Sequence, residues 1–315
     1  MDPLQLFASS GLVIVAGKGG VGKTTVTAAM AIAAARLGQR VLAVEMEGAS
    51  GLGPLLGSER ALGPEDVLLR PGRPDQPGEV LGRVVSPGEA LTDYLNDHGL
   101  RRMSGRLAKA GVIDVVATAA PGLDDILVLG KIKQLERGGE YDLILLDAPA
   151  AGHAVTFLRS AKGLADAVTV GPISTQAHDV LELLNDASRC QVVLVTLPEE
   201  TPVNETIDTA FTLEDEVGLQ LGPVVVNGLY PDRSGLAAAL DTLGPEGERT
   251  HDGLVRAARF RLARQAQQTE QLARLSARLP LPQVHLPYVF TAGLSNQDVE
   301  VLAERLLDQL GSAAA

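Results

Sequence analysis

Two of the chain's six lysines fall in one eight-residue stretch, GKGGVGKT at residues 17–24. Glycines at this density let backbone N–H groups turn inward around an anion, and a helix starting near Lys23 adds its positive end. Lys23 brings a compact ammonium to the β- and γ-phosphates of a nucleotide, and the Thr24 hydroxyl follows where it can ligate Mg²⁺. Arginine, which carries most of the chain's other positive charge, has a planar fork that suits such a cradle less well. Further on, YDLILLDAPAAGH at 141–153 runs four apolar residues into Asp147. A carboxylate leaving the carboxyl end of a buried strand is placed to hold Mg²⁺ directly or through water, with Pro149 and Gly152 in a loop that senses the γ-phosphate. The alternative for Asp147 is a helix N-cap. His153, a single histidine after this loop, stays outside the chemical core.

These residues need a scaffold, and the apolar runs supply one. Strand-length runs at 12–16, 41–44, 143–146, 167–170, 192–197 and 224–226 alternate with helix-length segments, the pattern of a parallel sheet covered on both faces. Residues 53–82 are rich in Gly and Pro and read as a loop, whereas 87–137 reads helical. A second helical region, 251–278, ends before Pro280, and a short strand at 284–287 precedes a terminal helix near 299–310. The expected fold class is α/β, a doubly wound, mostly parallel sheet of the P-loop NTPase type with a helical subdomain. The expected organisation is a single domain over 1–315 with a helical insertion at about 84–138.

Bulk properties narrow the partners. With 39 acidic against 27 basic residues the net charge is −12, which leaves no electrostatic footprint for a nucleic-acid backbone or an anionic membrane. A lone cysteine, Cys190, allows neither a disulfide framework within the chain nor a CxxC site. The opening MDPLQLFASS lacks a basic n-region, and no apolar run reaches the roughly 18 residues a membrane helix needs, so a cytoplasmic protein without a direct membrane anchor is expected.

Lys18 makes the loop unusual. KGGVGKT resembles the deviant Walker A motif of the ATPase class that includes ParA, MinD, nitrogenase iron protein and ArsA. That resemblance implies that Lys18 reaches across a dimer to the partner's nucleotide, in the manner of an arginine finger; the alternative is a solvent-facing lysine with no role. DAPAAGHAVTFLRSA is similar to the switch segment of the anion-transporting ATPase family, which comprises ArsA and the tail-anchored-protein targeting ATPases of the GET pathway. AAPGLDDILVLGKIKQL, LVTLPEETPVNET, VVVNGLY and HLPYVFTAGLSNQDVEVLAERL extend the likeness over roughly residues 11–310.

The family resemblance implies ATP and Mg²⁺ as cofactors and a nucleotide site built from Gly17, Lys18, Gly19, Gly20, Val21, Gly22, Lys23, Thr24, Thr25 and Gly152. Asn227 and Pro287 would contact the adenine, and Thr24 and Asp147 would serve the metal. VLAVEMEGASGL offers Glu47 where the family has the aspartate that orients or deprotonates the attacking water, one methylene longer; the alternative is a surface acid in a loop. The implied function is a dimeric ATP-hydrolysing switch that couples nucleotide state to a hydrophobic client or partner protein, as a homodimer or paired with a related subunit. Cys190 alone makes an arsenite site within one chain improbable. Four methionines, Met1, Met30, Met46 and Met103, are too few for a Met-rich client groove, so client binding by the 87–137 helices has no specific residue to support it. The other readings are a ParA- or MinD-like positioning ATPase and an ATP-binding structural subunit without turnover.

Overall fold

A computed structural model describes residues 11–74, 76–110, 113, 122–149, 151–233 and 235–312. In chain order the elements are β1 Leu12–Gly17, α1 Lys23–Arg36, β2 Arg40–Met46, α2 Leu52–Leu55, β3 Val67–Arg70, β4 Glu79–Val85, α3 Pro87–Asp97, α4 Arg101–Ala110, α5 Leu123–Gly138, β5 Leu143–Asp147, α6 Ala151–Ala167 and α7 Pro172–Asn185. There follow β6 Cys190–Thr196, α8 Glu200–Thr212 with a π-helical turn Leu213–Val217, β7 Leu221–Leu229, α9 Leu236–Thr242, α10 Pro245–Thr250, α11 Asp252–Arg278, β8 Gln283–Pro287 and α12 Asn296–Ser312. The opening decapeptide and much of the stretch between α4 and α5 lie outside the described residues, and the sequence expectations that fall there lie outside with them.

The eight strands form one sheet in the order β3-β4-β2-β5-β1-β6-β7-β8, parallel throughout except for β3, which runs antiparallel to β4 at one edge. This is the doubly wound α/β architecture. Successive β1 side chains enter opposite cores, Leu12, Ile14 and Ala16 on one face and Val13 and Val15 on the other, so burial on both faces explains the unbroken apolar strands. α1 is alanine-rich and buried from Val26 to Ala35, which lets it lie close against the sheet while α12 covers it from outside. Among the described residues no helix is long and apolar enough to cross a membrane.

Two expectations are corrected. The run 167–170 is not a strand: α6 continues to Ala167, α7 begins at Pro172, and Val170 is 81% exposed. The short run AVTV is met at once by Gly171 and Pro172, which open α7, and among the described residues no strand pairs with it. Conversely, 53–82 is not all loop, since β4 pairs with β2 and β3 pairs with β4. Gly82 and Arg83 interrupt the apolar pattern of EVLGRVV, yet Arg83 is buried because Asp66 and Glu89 neutralise it. β4 therefore runs to Val85, and the helical segment begins at Pro87, as its sequence reads.

Candidate nucleotide-binding site

β1 lies between β5 and β6 at the middle of the sheet, and its carboxyl end opens into the 18–22 turn that leads to α1. Crevices outside the carboxyl ends of central parallel strands are where such sheets bind ligands. Val21 is the buried pin of the turn, while Lys18, Gly19 and Gly20 stand exposed above it. Gly22 caps α1 at φ 91°, and a Cβ there would lie 2.3 Å from the Asn227 amide nitrogen. A left-handed backbone and a close neighbour both demand glycine at this position. Asn227 Nδ2 donates to the Val21 carbonyl at 2.9 Å, so the carboxyl-end half of β7 is bolted to the loop.

The two expected metal ligands meet: Thr24 Oγ1 donates to Asp147 Oδ2 at 2.6 Å. The other oxygen, Asp147 Oδ1, is buried without a hydrogen-bond partner. Burial pushes the Asp147 pKa up to about 6; the Thr24 hydrogen bond and the Lys23 ammonium oppose the shift and the Glu45 charge adds to it. Lys23 is pushed downward, again by burial, with Asp147 pulling the other way, and its ammonium donates to the Lys18 carbonyl at 3.2 Å. An orphaned carboxylate oxygen beside a hydroxyl is a hard-oxygen pair that suits Mg²⁺. Among the described residues no group of three or more His, Cys, Asp or Glu side chains could hold a metal by itself. Mg²⁺ takes one or two protein oxygens and completes its shell with phosphates and water.

Beside the loop is a cavity of about 390 Å³ lined by Gly20, Thr25, Asn227, Pro287, Tyr288 and Leu294 among others. It unites the expected base-contacting residues Asn227 and Pro287 with the loop. Tyr288 also belongs to an aromatic triangle with Tyr230 and Phe290, at centroid distances of 4.7–5.4 Å, and Arg261 of α11 stands over two of the rings. Gln268 of α11 accepts from Tyr230 N at 2.9 Å and donates to Gly228 O at 3.2 Å, tying the long helix to the wall of the cavity.

The remaining candidates are placed as follows. Glu47 is exposed just beyond β2, with its N–H on the Val85 carbonyl at 3.1 Å. Lys18 pairs with Glu205 of α8 in its own chain; Lys18 is exposed, whereas Glu205 is half-buried. Gly152 lies in the first turn of α6 rather than in a loop, and the side chain of His153 lies outside the described residues. Sequence reasoning missed Glu45, 1% exposed, which sits opposite Asp147 across the β2–β5 pair. The signal was an acid near the end of an otherwise apolar, buried strand. Tyr288 and Glu205 carried no comparable local signal, since their place depends on long-range packing.

Away from the loop, α3, α4, α5 and α7 enclose a groove of about 320 Å³ lined by apolar side chains such as Leu91, Leu95, Met103, Ile126 and Ile173. Leu100, Met103 and Ile173 are 38–45% exposed along it. The helices thus gather a specific apolar surface from leucine and isoleucine, with a single methionine. Cys190 lies at the opposite end of the sheet from the loop, at the start of β6, with its thiol pushed up to about 12 by burial.

Residues 11–170, half of the chain, match the family described as anion-transporting ATPase. The chain belongs to the anion-transporting ATPase family. ATPase BagA of Mycobacterium tuberculosis is 34% identical over 225 residues, covering 69% of this chain and 65% of that protein. An arsenical pump-driving ATPase of Escherichia coli is 26% identical over 249 residues, 71% of this chain and 41% of its own length. ATPase get3 of Neurospora crassa is 26% identical over 203 residues, 64% of this chain and 56% of that protein. The alignments therefore span less than two thirds of these relatives of the family.

Proposed function

We propose that this member of the family binds and hydrolyses Mg²⁺-ATP, and that two subunits close across their nucleotides to change the exposure of an apolar client surface. The observation that carries the reading is the 2.6 Å contact between Thr24 and Asp147 beneath the phosphate loop. Thr24 and Asp147 would hold Mg²⁺, which would supply neutralisation of the charge that develops in phosphoryl transfer. Gly17, Gly19, Gly20, Gly22 and Thr25 present backbone donors to the phosphates, Lys23 neutralises them, and Gly152 opens a helix facing the same crevice. Asn227 and Pro287 hold the base in the cavity between the loop and β8. Glu47 orients or deprotonates the attacking water, which its exposed position permits.

Lys18 acts in trans in this reading. The exposure of Lys18 supports that, because an exposed ammonium is free to leave its intrachain partner Glu205 for a triphosphate. The partner is a second copy or a related subunit, and the 320 Å³ groove takes an apolar segment of a client protein. A cytoplasmic location accords with the chain's acidic surface. The deciding experiment is phosphate release from ATP by the purified chain, with Mg²⁺ and with chelator, for the parent and Glu47→Gln. Release should require Mg²⁺ and slow by ~10²-fold or more in the variant while ATP affinity stays. Undiminished turnover would move the base elsewhere, and no release from the parent would leave a binding subunit without turnover.

A further inference from the structure

Glu45 has a geometry that none of the nucleotide contacts accounts for. It is the last residue but one of β2, 1% exposed, and its Oε1 accepts two backbone N–H groups, Gly51 at 2.6 Å and Leu52 at 2.7 Å. Those donors lie at the far end of the 47–51 turn, where α2 begins. The near end is fixed by Glu47 N on Val85 O, and the middle by Ala49 N on Met46 O, at 3.1 Å each. The turn that carries Glu47 is therefore pinned at both ends, and the second pin is a buried carboxylate. Gly51 also lies hard against the phosphate loop: a Cβ there would come within 2.8 Å of Thr24 Cγ2. Glu45 itself stands in register with Asp147 on the neighbouring strand.

We propose that Glu45 is a positioning residue for hydrolysis: by holding the Gly51 and Leu52 amides it fixes the turn against Thr24 and presents Glu47 at one place relative to the metal-binding pair. The inference rests on the proposed role of Glu47. Side-chain length is decisive. From the end of β2 a glutamate spans the turn, whereas an aspartate, one methylene shorter, withdraws its oxygens from both amides. Two hydrogen bonds to one carboxylate oxygen, shielded from water, are stronger than their neutral, solvated equivalents. Small displacements of catalytic groups cost large factors in rate, so this anchor acts on turnover and leaves the phosphate contacts intact.

The test compares Glu45→Gln, Glu45→Ala and Glu45→Asp in the full chain, by amide hydrogen exchange of residues 47–52 without nucleotide and by kcat, KM and ATP affinity. In Glu45→Ala and Glu45→Asp, exchange at Gly51 and Leu52 should rise at least about tenfold and kcat fall about tenfold or more, with ATP affinity within about threefold of the parent. Glu45→Gln, whose amide oxygen accepts the same two N–H groups, should restore protection and most of kcat. Should Glu45→Ala fail to fold, Glu45→Asp carries the disruptive arm. Unchanged exchange in the disruptive variants overturns the proposal, as does Glu45→Gln behaving like Glu45→Asp. Hydrolysis indifferent to Glu47→Gln would defeat the base assignment alone, because exchange still reports whether Glu45 holds the turn.

Discussion

The nucleotide crevice and the apolar groove are built on opposite principles. The crevice takes its groups from one contiguous loop and from residues at or just beyond the ends of β2, β5, β7 and β8, and its contacts are polar and directional: Thr24 to Asp147 at 2.6 Å, Asn227 to Val21 at 2.9 Å. The groove takes its side chains mostly from four helices, and its walls are mainly apolar, with Tyr94, His98 and Gln176 as the polar-tipped members. Directional chemistry concentrates free energy in single atoms. Apolar burial spreads it over area, so one residue more or less changes little.

The contrast sets the order of expected effects. Largest is Lys18→Ala: turnover at saturating Mg²⁺-ATP should fall by about 10³ or more while ATP still binds, since a cation supplied in trans acts on charge that develops in the transition state. Mixing it with Lys23→Ala subunits should recover activity at a composite site. A dead mixture, with both variants still pairing with the parent, would put Lys18 to work in its own subunit. Next is Lys23→Ala, for which calorimetry should show ATP affinity reduced about a hundredfold, the loss of roughly 2–3 kcal/mol of charge-assisted contacts. An unaltered affinity would break the assignment of the loop.

On the groove side, Met103→Asp should weaken binding of an apolar helical peptide, followed by fluorescence anisotropy, by only about three- to tenfold, and leave ATP affinity untouched. A hundredfold loss would mean that the groove, like the crevice, depends on single residues. Smallest is Cys190→Ala. Removing a buried sulfur should cost about 1 kcal/mol in denaturant unfolding and leave kcat unchanged. Cys190 should also resist alkylation at neutral pH until the chain is unfolded, because its thiol is pushed up to about 12. Rapid labelling of the folded chain would contradict its burial.

Legibility in the sequence followed the same divide. The loop and Asp147 were readable because each sits at a fixed offset from a strand whose apolar run is itself visible, Asn227 only through the family resemblance, and the structure brings Thr24, Asp147 and Asn227 together around one loop. β4 was not readable because Gly82 and Arg83 break its pattern, and the pairing that makes Arg83 tolerable, with Asp66 and Glu89, comes from neighbouring turns. The false strand at 167–170 failed for the converse reason, an apolar run with no neighbour to pair with.

By itself the sequence determined the phosphate cradle, the parallel α/β sheet and the family resemblance, since these rest on local rules: glycine where the backbone must turn left, apolar residues where a strand is covered twice, a lysine and a threonine at set distances. Tertiary structure alone decided that Glu45 grips the turn bearing Glu47, that Tyr288 lines the cavity beside the loop, that Lys18 rests on Glu205, and that apolar side chains from four helices form one groove. Each of those needs residues far apart in the chain to arrive at one place. Only packing of the whole sheet and its helices determines that.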